Sequence, residues 1–156
     1  MARKTTMYRV TEEGRDKGKT FLITEESADL GEKWAAKAIL GLMASGTQLP
    51  DNYRELGMAG LAEIGFKALA GMRWELLEPL LDTMFGDIQF VGDPQKAYAT
   101  TRPLILDDIE EISTRLKLRY EWWKLHMGFF QAVVPSLIDQ AKAPVGKHSG
   151  TRASAR

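Results

Sequence analysis

Residues Asp107–Phe130, DDIEEISTRLKLRYEWWKLHMGFF, decide how this chain is read. Acids come first (Asp107, Asp108, Glu110, Glu111) and bases follow (Arg115, Lys117, Arg119), the order that complements a helix macrodipole. Ile109, Ile112, Leu116, Trp123 and Met127 recur at helical spacing and make one apolar stripe. Leu118, Trp122, Leu125 and Phe129 make a second stripe, displaced around the same helix. One stripe is enough to seat a helix on its own core. The second predicts contact with something else, so binding is the expected function.

The remainder of the chain sets the frame for that helix. At 156 residues it is expected to form one domain, residues 1–140, large enough for a core without disulfide or metal staples. Its content is that of an ordinary water-soluble protein, 44% hydrophobic and 27% charged, with no cysteine to supply disulfides, thiolate chemistry or thiolate metal ligands. Polar Thr5 and Thr6 follow Arg3 and Lys4 where a signal peptide would turn apolar. The richest helix, Leu61 to Ala70, is interrupted by Glu63 and Lys67, so no membrane span is expected and a cytoplasmic location is. The net charge is zero but unevenly placed: Lys142, Lys147, Arg152 and Arg156 stand without an acid in residues 141–156. That Ala-, Ser- and Gly-rich stretch is expected to be a disordered basic tail, and nucleic-acid binding is not expected of four scattered bases.

Along the chain, Thr5–Val10 and Lys19–Thr24 flank a glycine-containing charged turn and predict a small N-terminal β-hairpin. Ser27 is placed to cap a helix that Gly46 ends, and within it Trp34, Ala35, Ala38, Ile39, Leu40, Leu42 and Met43 leave little polar surface. Gly57–Gly71 and Trp74–Phe85 predict two more helices, the second with Pro79 as a kink or a restart. Asp87–Val91 and Arg102–Leu106 predict a pair of short strands around Gly92-Asp93-Pro94. Beyond Phe129 a short last helix is expected to begin near Pro135. The fold class is therefore α+β and mostly helical, with about four to six helices.

Tests for chemistry return little. Gly14–Thr20 (GRDKGKT) resembles a phosphate-binding loop, but three residues separate its glycines where four are needed, and a strand follows where a helix should. It reads as a charged hairpin turn. His126 has no carboxylate at ligand spacing, and His148 lies in the basic tail, so no metal site is expected. The acids at 107–111 have a sufficient role at a helix start. No nucleophile–histidine–acid set is visible, so neither catalytic residues nor a cofactor are expected.

The aromatic residues carry the remaining signal. Trp34, Trp74 and Trp123 stand at core-like phases. For Trp122 and Phe129, core and partner contact weigh equally, because burying both Trp122 and Trp123 demands a wide apolar face. The expected partner-facing set is Trp122, Phe129, Leu118 and Leu125 on the long helix, with Trp34, Leu40 and Met43 on the apolar one.

Three runs carry a family likeness: Gly31–Ser45 (GEKWAAKAILGLMAS), Leu80–Phe90 (LLDTMFGDIQF) and Arg102–Ile112 (RPLILDDIEEI). Together they resemble the tail assembly chaperones encoded among the tail genes of long-tailed bacteriophages, over about residues 1–130. The resemblance implies a non-enzymatic protein of the host cytoplasm that binds the apolar, helical tape measure protein and keeps it from aggregating. It further implies support for tail-tube polymerisation, absence from the finished particle, and possible partners in the tail tube protein or a second copy of the chain. Many such chaperones are made in two lengths by programmed frameshifting at a slippery site that can decode as Gly-Lys, and Gly146-Lys147 fits that position. The rival expectation is a structural tail component, a connector or tube-completion protein, retained in the virion.

Overall fold

The computed structural model describes residues 2–46, 51–52, 55 and 67–142, with side chains as far as residue 128 apart from that of residue 42. Two β-hairpins merge into one antiparallel sheet of order β1-β2-β3-β4, comprising β1 (Thr5–Arg9), β2 (Thr20–Thr24), β3 (Ile88–Val91) and β4 (Thr101–Pro103). The expected hairpin forms, with Tyr8 opposite Phe21 and Thr5 opposite Thr24. The two central strands then join it to the second strand pair, with Phe21 opposite Phe90 and Ile23 opposite Ile88. These residues lie on one face of the pleat because side chains alternate along a strand. Phe21, Ile23 and Ile88 are fully buried there and form the floor of the core. The fold is thus α+β, as the sequence predicts.

Helix α1 (Ala28–Ala44) begins where Ser27 Oγ accepts the N–H of Leu30 at 3.3 Å. It stops where Gly46 adopts φ +72°, a conformation costly for any residue with a side chain. Helix α2 (Trp74–Gly86) runs unbroken through Pro79, so neither a restart nor a break occurs. A 3-10 turn (Pro94–Lys96), a single helical turn (Ala97–Thr100) and a second 3-10 turn (Leu106–Asp108) surround β4. The expected helix Gly57–Gly71 lies largely outside the described residues, of which Lys67–Leu69 are helical. Of the expected tail, residues 143–156 also lie outside them, while Ala141 and Lys142 are helical.

The long helix α3 spans Ile112–Lys142 as one element and continues through Pro135, so no separate last helix begins there. It starts later than the acidic run predicts. Asp107 and Asp108 sit in the preceding 3-10 turn, where Asp108 receives a bidentate pair from Arg102 (2.6 and 2.7 Å) and the N–H of Ile105 at 2.8 Å. Helix α3 packs across β1 and β2 and against α2. Thr114, Leu118 and Trp122, spaced at i+4, all face inward, and Trp123, His126 and Met127 widen the buried arc toward α1. Trp34 of α1 closes that arc, its ring 4.9 Å from Trp122 and 5.6 Å from Trp123. Trp34 is itself fixed by donation from Nε1 to the Leu80 carbonyl at 3.0 Å.

Candidate functional site

The structure redistributes the residues expected to meet a partner. Trp122 and Leu118 are fully enclosed and Trp34 nearly so, which corrects their assignment to a binding face. The physical reason is that α3 is covered from two directions. The sheet takes the Leu118 side and α1 takes the adjoining arc, so both indoles fit within one protomer. Leu125 is half-buried against the same core, and the Phe129 side chain lies outside the described residues. Among the set's described side chains, Leu40 and Met43 alone are open to solvent, 65% and 59% exposed. They lie on the side of α1 opposite Trp34, Ala35 and Ala38, next to exposed Ala36.

Other apolar residues sit where the sequence did not place them. Trp74, expected in the core, is 59% exposed at the first residue of α2. Its end of α2 adjoins the C-terminal half of α1, where a Cβ on Gly41 would fall 2.0 Å from Met72 Cε. Ile112 and Leu116, expected in the inward stripe, are 78% and 49% exposed. They precede the part of α3 that Trp34 reaches. The signal that could have separated them from Trp123 and Met127 is tertiary, because all four share one helical phase.

The Gly14–Thr20 loop does cradle an anion, but the anion belongs to the chain. Its backbone N–H at Arg15 donates to Glu111 Oε1 at 3.2 Å, and a Cβ on Gly14 (φ +151°) would fall 2.5 Å from Glu111 Oε2. In the other direction, Asp16 is wholly buried and accepts the N–H groups of Glu110 (3.0 Å) and Glu111 (3.0 Å) ahead of α3. Lys19 Nζ completes the contact at 2.8 Å from Asp16 and 3.0 Å from Glu110. Burial alone would raise the Asp16 pKa. The Lys19 ammonium, the two amides and the Thr114 hydroxyl outweigh it and hold the carboxyl at about 2. The loop is a clasp between the hairpin and the start of the long helix.

A polar chain crosses the middle of the molecule. Trp122 Nε1 donates to Asp87 Oδ2 at 3.0 Å, and the Trp122 ring stacks on His126 at 3.8 Å between centroids. His126 Nε2 accepts the N–H of Glu26 at 2.8 Å, which places the neutral ring's proton on Nδ1, donating to the Trp122 carbonyl at 2.7 Å. Burial lowers the His126 pKa below its usual 6.5, against the pull of the Trp122 carbonyl and of Glu25 and Glu26. Burial likewise raises Asp87 to about 6; the Trp122 indole opposes the shift and Glu26 adds to it. Sequence reasoning missed this set because the partners of Trp122 and His126, Asp87 and Glu26, lie 35 and 100 residues away from them. The chain joins α3 to the α2–β3 corner and the entry to α1, and each of its groups is engaged with another part of the fold.

Among the described residues, no group of three or more His, Asp or Glu side chains is arranged to hold a metal ion. No helix among them is long and apolar enough to cross a membrane. No family model, curated protein or solved structure matches this chain.

Proposed function

We propose that this protein is a non-enzymatic phage tail assembly chaperone that binds the tape measure protein and keeps it soluble while the tail tube assembles. Two things support the reading: the resemblance carried by residues 31–45, 80–90 and 102–112, and the exposed apolar side of α1. The second is the observation that carries it. Leu40 and Met43 project from the open side of a helix whose opposite side is already buried, which is the arrangement that helix-to-helix recognition uses. Their exposure leaves apolar area uncovered in the protomer, and covering it with an apolar helical client is favourable. Trp74 at the adjoining end of α2 extends the candidate surface, and Trp is the residue type that most often dominates such contacts.

Co-expression with the tape measure protein of a long-tailed phage tests this reading. The client is expected in the soluble fraction only when this chain is present, and equal solubility without it would sink the proposal. The rival, a connector or tube-completion protein retained in the virion, is separated by mass spectrometry of purified particles. A chaperone is absent from them; a structural component is present at a fixed ratio to the tube.

A further inference from the structure

The first half of α3 presents a second surface, chemically distinct from that of α1. Ile112, Arg115, Leu116 and Arg119 follow one another at i, i+3, i+4 and i+7 and so share one helix face. Ile112 and Leu116 are exposed, as given above. Beside them Arg115 and Arg119 lay their guanidinium carbons 4.0 and 4.8 Å from the centre of a single ring, Phe85 of α2. Phe85 is packed against the core and holds both side chains in place. Among the described residues neither guanidinium has a carboxylate within ion-pair distance, and Arg119 Nε is buried with no hydrogen-bond acceptor. Two cations one turn apart repel each other. Burial and the Arg115 charge both push the Arg119 pKa down, and the nearby Asp82 charge offsets them in part.

This arrangement differs from the chain's other clustered arginines. Arg102 also stacks on a ring, Phe90, but Asp108 holds it bidentately; Arg15 pairs with Glu110 and Glu111. Among the described residues, Arg115 and Arg119 alone combine a fixed aromatic shelf, a like-charged neighbour and no carboxylate within ion-pair distance. Guanidinium forks so held match carboxylate oxygens, and the adjacent Ile112 and Leu116 match an apolar side chain. The geometry points to a docking site for an acidic amphipathic helix of another polypeptide, its carboxylates on Arg115 and Arg119 and its apolar stripe on Ile112 and Leu116. Charge complementarity selects this occupant. A nucleic acid would leave the two exposed aliphatic side chains, Ile112 and Leu116, without use. The inference stands apart from the chaperone proposal, which concerns α1.

The test uses the full chain and a synthetic helical peptide of about five turns, with leucines at i, i+3, i+4 and i+7 flanked by glutamates. Comparison peptides carry glutamine or lysine in place of glutamate, and a single-stranded oligonucleotide of equal charge serves as the other polyanion. The acidic peptide is expected to bind, with affinity that falls as salt is raised. The double variant Arg115→Gln/Arg119→Gln is expected to weaken it by about tenfold or more, and Arg115→Lys/Arg119→Lys to recover part of that loss. Because the arginines also cover Phe85, Ile112→Asn serves as a second variant at an exposed position; it too should weaken binding while the circular dichroism melt stays in place. Equal binding of the three peptides, no binding of the acidic one, or preferential binding of the oligonucleotide would each overturn the site. Loss of client solubilisation in the co-expression experiment would leave it standing.

Discussion

Asp16 shows how much of this fold depends on one carboxylate. It is enclosed, ionised and surrounded by donors from two segments some 94 residues apart in sequence. Its folded pKa of about 2 lies below the ordinary value of 3.8, so the folded state binds its proton less tightly than the unfolded chain. The stabilisation is therefore complete above about pH 4 and is lost as pH falls through about 2; the difference corresponds to about 2 kcal/mol. Asp16→Ala is expected to lower stability by about 3–5 kcal/mol, since it also strands the Glu110 and Glu111 amides and takes from Lys19 the closer of its two carboxylates. Urea melts at pH 7 and pH 3 check both points, because the variant's deficit should shrink in acid. Asp87 has the opposite sign. Its pKa is raised to about 6, so the fold prefers the protonated form and loses stability as pH rises from about 4 through about 6. Asp87→Asn keeps an acceptor for the Trp122 indole and is expected to melt higher than wild type at pH 8, with the gain vanishing near pH 4. An equal or lower melt at pH 8 would count against the burial argument. His126 acts the other way: its depressed pKa means that stability falls as pH drops below 6.5.

At the scale of elements, the strands and the limits of α1 were legible and the faces of the long helix were not. Ser27 and Gly46 bound α1 through local chemistry, a side-chain cap and a left-handed stop, so the sequence contains them. Met7, Tyr8 and Val10 on one side and Phe21, Leu22 and Ile23 on the other flank a charged turn that holds Gly14 and Gly18, and the hairpin follows from them. The joining of that hairpin to β3 depends on pairing across more than sixty residues, which periodicity does not encode. Helix α3 is the clearest case. Leu118 and Trp122 form a regular apolar stripe, yet a stripe looks alike whether a sheet or a partner covers it. Here the sheet and Trp34 cover it, so Trp122→Ala is a core truncation and is expected to cost about 3–5 kcal/mol in chemical denaturation. The glycine loop before β2 was legible as the charged turn of the hairpin. That it cradles Glu111 followed only from the three-dimensional contact. Gly14→Ala is expected to cost about 1–3 kcal/mol, because it forces a side chain into a φ that favours glycine and into the Glu111 carboxylate. A melt unchanged by that substitution would mean the clasp contributes little.

For the molecule as a whole, the question is which apolar area its own packing leaves uncovered. The indoles of Trp122 and Trp123 both pack on that of Trp34, so the tryptophan pair that suggests a sticky surface is internal. Of the expected partner-facing set, what stays uncovered among the described side chains is Leu40 and Met43 on the open side of α1. This concentrates the chaperone proposal on a surface that can be altered without touching the core. Leu40→Gln/Met43→Gln replaces two exposed apolar side chains with good helix formers, so stability is expected to stay within about 0.5 kcal/mol of wild type. Client capture is a different matter, because the substituted side chains remove apolar area that a helical client would otherwise bury. Co-expressed tape measure protein is therefore expected to move from the soluble to the pelleted fraction with this variant, at unchanged melting temperature. If the client stays soluble, α1 is not the client's surface, whatever the outcome for the arginine face of α3. If the melt drops together with solubility, the two side chains serve the fold instead, and the partner surface lies elsewhere on the molecule.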